Sequence, residues 1–260
     1  MIANSLVDPK EFQPKAEAAA QKALQLDGGL AEAHLALAGI RTDQWDWAGA
    51  EEEYKRAIEL KPNMGPAHRG FSSYLGNVGR HDEAVAEAKT ARELDPLTLG
   101  TNITVSLSLI HARRFDDAIE SSQVVMKEAK HWGNLILGYA HAGKGLFKEA
   151  AAYYEESIKA GNPSPSVQIY LGAAYARAGE PEKAQAIIKT LKSSKSYVSP
   201  AELAVLYAGM GDKDAAFRSL EKGFAEHDAQ LKYLKSDSGF DALRSDPRFL
   251  DLMKRVGLPL

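Results

Sequence analysis

The sequence predicts an all-α solenoid, a row of helical hairpins stacked side by side. Three observations predict it. Alanine recurs at Ala50, Ala84 and Ala118, each step 34 residues, inside the similar stretches WDWAGAEEEYKRAIELKPN, GRHDEAVAEAKTARELDPL and RRFDDAIESSQVVMKEAKH. The recurrence continues through Ala150, Ala184 and Ala216, with two of the steps shortened to 32 residues. Gly79, Gly145, Gly179 and Gly211 punctuate the units between their two helices. A long fixed period of this kind marks stacked supersecondary units, none of which buries its apolar face alone.

In chain order, residues 9–30 form a partial unit. Its PKAEAAAQKALQLDGG aligns Ala16, Ala20 and Ala23 with second-helix positions, and a matching first helix is missing or abbreviated. Six full units follow at 31–64, 65–98, 99–130, 131–164, 165–196 and 197–228. The first helix of each carries a large residue and then a small one: Leu37–Ala38, Phe71–Ser72, Val105–Ser106, Leu137–Gly138, Leu171–Gly172 and Leu203–Ala204. The second helix carries its alanine, then Tyr54, Ala88, Ser122, Tyr154, Ile188 or Leu220 four residues on. Three further on stand Ala57, Ala91, Val125, Ser157, Leu191 and Gly223. That spacing places all three on one helix face. A mid-helix glycine costs roughly 1 kcal/mol against alanine, so Gly138 and Gly172 are expected where two helices approach closely. Pro62 and Pro96 end one unit and hand over to the next, since proline cannot continue a helix.

The last stretch, 229–260, breaks the period. Ser245 and Asp246 before Pro247 predict a helix start, and Phe249, Leu250, Leu252, Met253 and Val256 give it an apolar stripe that Gly257 and Pro259 end. Phe240 and Leu243 read as an anchoring turn ahead of it. The expectation is a lid that seals the last open hairpin, with a separate docking helix as the alternative.

Bulk properties narrow the function. A net charge of -3 and a pI near 6.2 argue against nucleic acid as the main partner, because phosphate binding needs a clustered positive field. No cysteine is present, which removes disulfides, thiolate metal sites and thiol nucleophiles together. The opening MIANSLVDPKEF lacks the layout of a secretion signal, and no apolar run approaches a membrane span. The expectation is a soluble, cytoplasmic protein without a membrane partner.

The period and the small–large–small pattern over Pro9 to Asp228 resemble the tetratricopeptide repeat (TPR) family. The family's frequent tryptophan at unit position four is replaced by His34, His68, Asn102, Asn134, Gln168 or Pro200, and the third unit has Arg113 for the turn glycine and Lys130 for the closing proline. LAEAHLALA, WDWAGAEEEYKRAIELKP and the C-terminal stretch further resemble the C-terminal repeat region of bacterial multidomain signalling proteins. That resemblance implies a right-handed superhelix, a longer parent chain and a role as its regulatory arm.

No catalytic chemistry is legible. HDEAVAEA is not a zinc-binding HExxH helix, GKGLFKEA lacks phosphate-loop spacing, and Gly-x-Ser-x-Gly and dinucleotide fingerprints are absent. His34 and His68 occupy equivalent positions in adjacent units, where a polar aromatic at a helix contact is favoured over a metal pair. His81 and His227, near hairpin turns, are expected to be solvated. No enzyme, metal or cofactor is expected.

The resemblance implies a concave groove lined by first helices at unit positions two, five, nine, twelve and thirteen. Carried onto this chain, the lining is apolar and aromatic in the middle: Ile103, Leu107, Ile110, Trp132, Leu135, Tyr139 and Ile169. Arg69, Asn77, His111 and Arg177 form its polar edge, and Ser73 is a further lining position. Leu35, Gly39 and Trp132 stand where a chaperone-type carboxylate clamp needs polar or basic groups. The expected function is therefore a protein or peptide scaffold that takes an apolar segment. The competing expectation for the patch is core, through a tight superhelix or an inward-folded C-terminal stretch. Competing functions are self-association through the open N-terminal hairpin and a small-molecule sensor.

Overall fold

Small residues recurring at helix contacts produce the architecture of the computed structural model, which describes residues 9–259. Helix α1 (Pro9–Leu26) precedes six hairpins: α2 (Ala31–Asp43) with α3 (Trp47–Leu60), α4 (Gly65–Asn77) with α5 (His81–Leu94), α6 (Leu99–His111) with α7 (Phe115–Glu128), α8 (Lys130–Gly143) with α9 (Phe147–Lys159), α10 (Pro165–Arg177) with α11 (Pro181–Ser193), and α12 (Pro200–Gly209) with α13 (Lys213–Glu226). Two 3-10 turns, Ala229–Tyr233 and Ser238–Leu243, then lead to α14 (Pro247–Arg255). First helices pack on the first helices of the next hairpin, α2 on α4, α4 on α6, α6 on α8 and α10 on α12. The all-α solenoid with a capping helix is thus present.

The recurring positions are the contacts. Ala50, Ala84, Ala118, Ala150, Ala184 and Ala216 are each 0% exposed. A side chain built at Gly138 would meet the Tyr154 ring at 2.4 Å, and one at Gly172 would meet Leu206 at 2.8 Å. The missing side chain at these glycines, at a cost in helix propensity, is therefore what lets large neighbours approach the backbone.

The hairpin turns need one residue in the left-handed region, and glycine supplies it at Gly79, Gly145, Gly179 and Gly211. Two turns break the rule: Trp45 (φ 63) and Arg113 (φ 59) hold the same conformation with side chains. Trp45, Gly79 and Arg113 are successive at 34-residue steps; the first meets the end of the last hairpin and the other two meet the C-terminal segment. Trp45 stacks on His227 with ring centroids 3.8 Å apart. A side chain at Gly79 would run into Lys235 at 2.4 Å. Arg113 donates two hydrogen bonds to Asp241, at 2.7 and 2.6 Å. The turn glycines of the last three hairpins have nothing within 4 Å of an added side chain.

The C-terminal segment therefore does more than seal the last hairpin. Helix α14 does cover α13, through Arg248 to Asp214 and Arg255 to Glu221. It starts at the Asp246 cap and buries Phe249, Leu252 and Met253, while Leu250 stays 44% exposed. Beyond it the chain returns to the first hairpin, where the Trp47 indole donates to the Val256 carbonyl at 2.9 Å. Lys232 pairs with Asp43 at 2.6 Å. Trp47, Tyr54 and Phe71 consequently share one apolar cluster with Leu206, Leu231, Phe240 and Leu258. The array closes on itself.

A left-handed non-glycine residue costs about 1–2 kcal/mol, and an exposed ion pair returns about 0.2–1 kcal/mol. Arg113→Gly is therefore expected to be about 1 kcal/mol more stable than Arg113→Ala, because both lose Asp241 and only glycine relieves the backbone. Urea titration of the two variants measures the difference; equal midpoints would contradict it.

Candidate functional site

First helices present their inner faces to the C-terminal segment. The Tyr233 ring lies 6.3 Å from that of His111, the Tyr170 hydroxyl donates to Asp237 at 2.5 Å, and Gly239 sits against Val205. Asp228 fastens the start of the segment by accepting from the Ser199 hydroxyl at 2.6 Å and from the backbone N–H groups of Ala201 and Gln230 at 3.0 Å each. Arg244 fastens the middle by donating to the Lys235 and Asp237 carbonyls, each at 3.0 Å.

Between this segment and the helices remains a recess of 180 Å³. Its walls are Leu107, Ile110 and His111 of α6, Trp132 and Tyr139 of α8, Tyr170 of α10, Glu202 of α12, and Gln230, Tyr233, Asp237 and Ser238. All but Ile110 keep partial exposure. A second recess of 160 Å³ adjoins it across Tyr139, Tyr170 and Ser238, and includes Phe147, Tyr154, Arg177 and Asp241 in its walls. Tyr139 and Tyr170 meet edge to face at 4.8 Å, a favoured aromatic geometry.

Of the groove residues expected from the sequence, the recess gathers Leu107, Ile110, His111, Trp132 and Tyr139. Leu135 and Ile169, at 4% and 0% exposure, are packed into the core instead. Ile103 is partly buried against the α6–α8 cluster. Asn77 is 2% exposed, and its side-chain oxygen has no hydrogen-bond partner among the described residues. Arg69 packs near Gly100, and exposed Ser73 donates to the Arg69 carbonyl at 3.3 Å. Arg177 is exposed, with its guanidinium 4.3 Å over the Phe147 ring.

Sequence reasoning missed Glu202, Asp237, Tyr170 and Tyr233. Glu202 had a signal, as the single charge in the otherwise apolar helix PAELAVLYAG. Asp237 and Tyr233 lie in an aperiodic stretch and carried none.

The recess is acidic. The Ser166 hydroxyl lies 2.6 Å from both Glu202 oxygens. Burial, opposed by that hydrogen bond and reinforced by the Asp228 and Asp237 carboxylates, pushes the Glu202 carboxyl up to about 7. Burial also raises Asp237 against the Tyr170 hydrogen bond. Burial, with nearby His81, pushes the His111 imidazole down to about 4, so it is neutral at physiological pH.

The sign of the pH dependence follows from the Glu202 shift. An unfolded glutamate titrates at about 4.3, so between there and about 7 the folded chain holds a proton that the unfolded chain has lost. This stability is present below the unfolded value and is lost as pH rises through the folded one. Between pH 5 and 8, Tm is expected to fall more steeply for the natural chain than for Glu202→Gln. Parallel curves would contradict the burial of this carboxyl.

Four of the histidines fall into three settings. His34 and His68 each face a second-helix carboxylate, Glu53 at 2.5 Å and Glu87 at 2.6 Å, with the other ring nitrogen near the Gly28 or Pro62 carbonyl. They are helix-contact residues, repeated with the unit. His81 departs from the solvated expectation: its Nδ1 is buried without a partner among the described residues, because Lys235 and the C-terminal segment cover that end of the hairpin. His227, although exposed, is stacked on Trp45. Among the described residues no group of three His, Asp or Glu side chains is placed to hold a metal, and no helix is long and apolar enough to cross a membrane.

No family model matches the chain. A curated relative, small glutamine-rich tetratricopeptide repeat-containing protein 2 of Mycosarcoma maydis, is 31% identical over 78 residues, which are 30% of this chain and only 22% of that protein. Among solved structures, a tetratricopeptide repeat protein from Parabacteroides merdae superposes with a TM-score of 0.67 at 14% identity, over 95% of this chain and 93% of that one. Pseudomonas aeruginosa pilF superposes with a TM-score of 0.54 at 15% identity, over 82% and 97%. The fold is that of a TPR solenoid.

Proposed function

We propose that the chain is a protein-interaction scaffold whose docking point is the recess on its concave face. The observation that carries this reading is an aromatic cavity left open between the first helices and the C-terminal segment, with Leu107, Trp132 and Tyr139 partly exposed inside a closed array. Aromatic anchors in a concave site are where partner side chains contribute most to binding. The wider groove around it would run from Arg69 and Ser73 through Ile103 and His111 to Arg177, with Asn77 buried beneath it. Ile110, Leu135 and Ile169 support its floor from within the core. Fused to a signalling head domain, as the sequence resemblance implies, the same recess would be its recruiting arm.

A photo-crosslinking phenylalanine placed at position 132, in the recess, and at position 120, on the exposed face of α7, tests this in the native host. The reading expects a discrete heterologous adduct from position 132 and none from position 120, with unchanged melting. Equal adducts from both positions would contradict it, and chain-to-chain adducts alone would favour self-association.

A further inference from the structure

The walls of the recess carry two carboxyls and no cation. Glu202 and Asp237 both line it. The nearby basic groups make their hydrogen bonds elsewhere: Lys232 to Asp43 at 2.6 Å, and Arg244 to two backbone carbonyls and to Asp241, so that Arg244 acts on Asp237 only through space. His111, the one basic residue in the wall, is neutral at physiological pH. Carboxyls held out of water without a positive partner are costly, and the cost falls when a cation is supplied.

The remaining walls suit the same occupant. Trp132, Tyr139, Tyr170 and Tyr233 surround the space, and aromatic faces attract ammonium and guanidinium groups. A third observation is independent of charge. Tyr154 is 1% exposed and lines the adjoining recess across Tyr139 and Tyr170, yet its hydroxyl has no hydrogen-bond partner among the described residues. A buried hydroxyl left unpaired beside a cavity is a polar group open to a partner, able both to donate and to accept.

We infer that the recess receives a basic side chain, lysine or arginine, from the partner segment. The inference rests on the docking point proposed above and names the chemistry of its anchor. The aliphatic stem packs among the aromatic rings while the charged end faces Glu202 and Asp237. The carboxyls that destabilise the empty recess become its recognition element, and neutral or acidic segments are turned away.

The test uses the full chain and three short blocked peptides, identical except for a central lysine, arginine or norleucine. Binding is read by NMR titration of the backbone amides of Asp237 and Ser238 in the recess wall. A basic peptide is expected to shift these resonances and to bind roughly ten-fold more tightly than the norleucine peptide. Glu202→Gln, which keeps the side chain's shape beside Ser166, is expected to remove most of that difference. Equal affinity for norleucine and the basic peptides would overturn the cationic anchor while leaving the docking point standing. No response to either basic peptide at millimolar concentration would overturn the inference, whatever the position-132 crosslink shows. The relative strength of the lysine and arginine peptides identifies which basic group the recess prefers.

Discussion

Replacing Phe240 by alanine is expected to cost about 3–5 kcal/mol, the range for deleting a large buried aromatic ring. Phe240 is 2% exposed and lies 6.0 Å, centroid to centroid, from the ring of Phe249. It belongs to the apolar cluster that joins the C-terminal segment to the first and last hairpins. A repeat array without such closure loses stability mainly near the mutated unit, because its contacts run only between neighbours. Here the loss is expected to reach the first hairpin, so amides of α2 and α3 should exchange faster in Phe240→Ala. Leu97→Ala, at a residue 85% exposed, is the control and should stay within about 0.5 kcal/mol. Urea titration of both variants, with hydrogen exchange on the first, checks the expectation. A Phe240→Ala chain as stable as Leu97→Ala would mean that the segment is not part of the core.

Gly138→Ala is expected to destabilise by about 1–3 kcal/mol, although alanine is the better helix former by about 1 kcal/mol. The added methyl would lie 2.4 Å from Cε1 and 2.6 Å from Cδ1 of Tyr154, a ring 1% exposed that would have to shift to make room. Gly39→Ala is the matched case with the opposite sign. It is also a mid-helix glycine, and nothing lies within 4 Å of its added methyl. There the propensity gain stands alone, and the variant is expected to be more stable by up to about 1 kcal/mol. Thermal melts of the pair separate packing from propensity; two shifts of the same sign would contradict the close approach of α8 and α9.

The fold was legible in the sequence for a physical reason. Each hairpin repeats one contact geometry, so the residue that permits close approach recurs with the period, as in Ala50, Ala84 and Ala118 at 0% exposure. The closure was not legible in that way. Trp47 meets Val256 across 209 residues, a contact made once and therefore without period. Its one trace was a departure from the pattern: Trp45 and Arg113 stand in turns where glycine is the easier residue, on either side of Gly79. Part of the recess lining follows the same logic. Leu107, Trp132 and Tyr139 come from periodic helices at expected groove positions, Tyr170 and Glu202 come from periodic helices at other positions, and Asp237 and Tyr233 come from the aperiodic segment. Leu135 and Ile169 show the limit of carrying groove positions onto a tight array, where an inward-facing residue can be wholly packed.

The closure is tested most directly by a zero-length carbodiimide cross-link in dilute, monomeric protein. Lys232 Nζ lies 2.6 Å from Asp43 Oδ1 across 189 residues of sequence, and Lys61 lies 2.9 Å from Glu32 within the first hairpin. An amide bond between Asp43 and Lys232, found by peptide mass mapping at a yield independent of protein concentration and absent from Asp43→Asn, is the predicted result. Formation of the Glu32–Lys61 bond without the Asp43–Lys232 bond would show an open array and contradict the account.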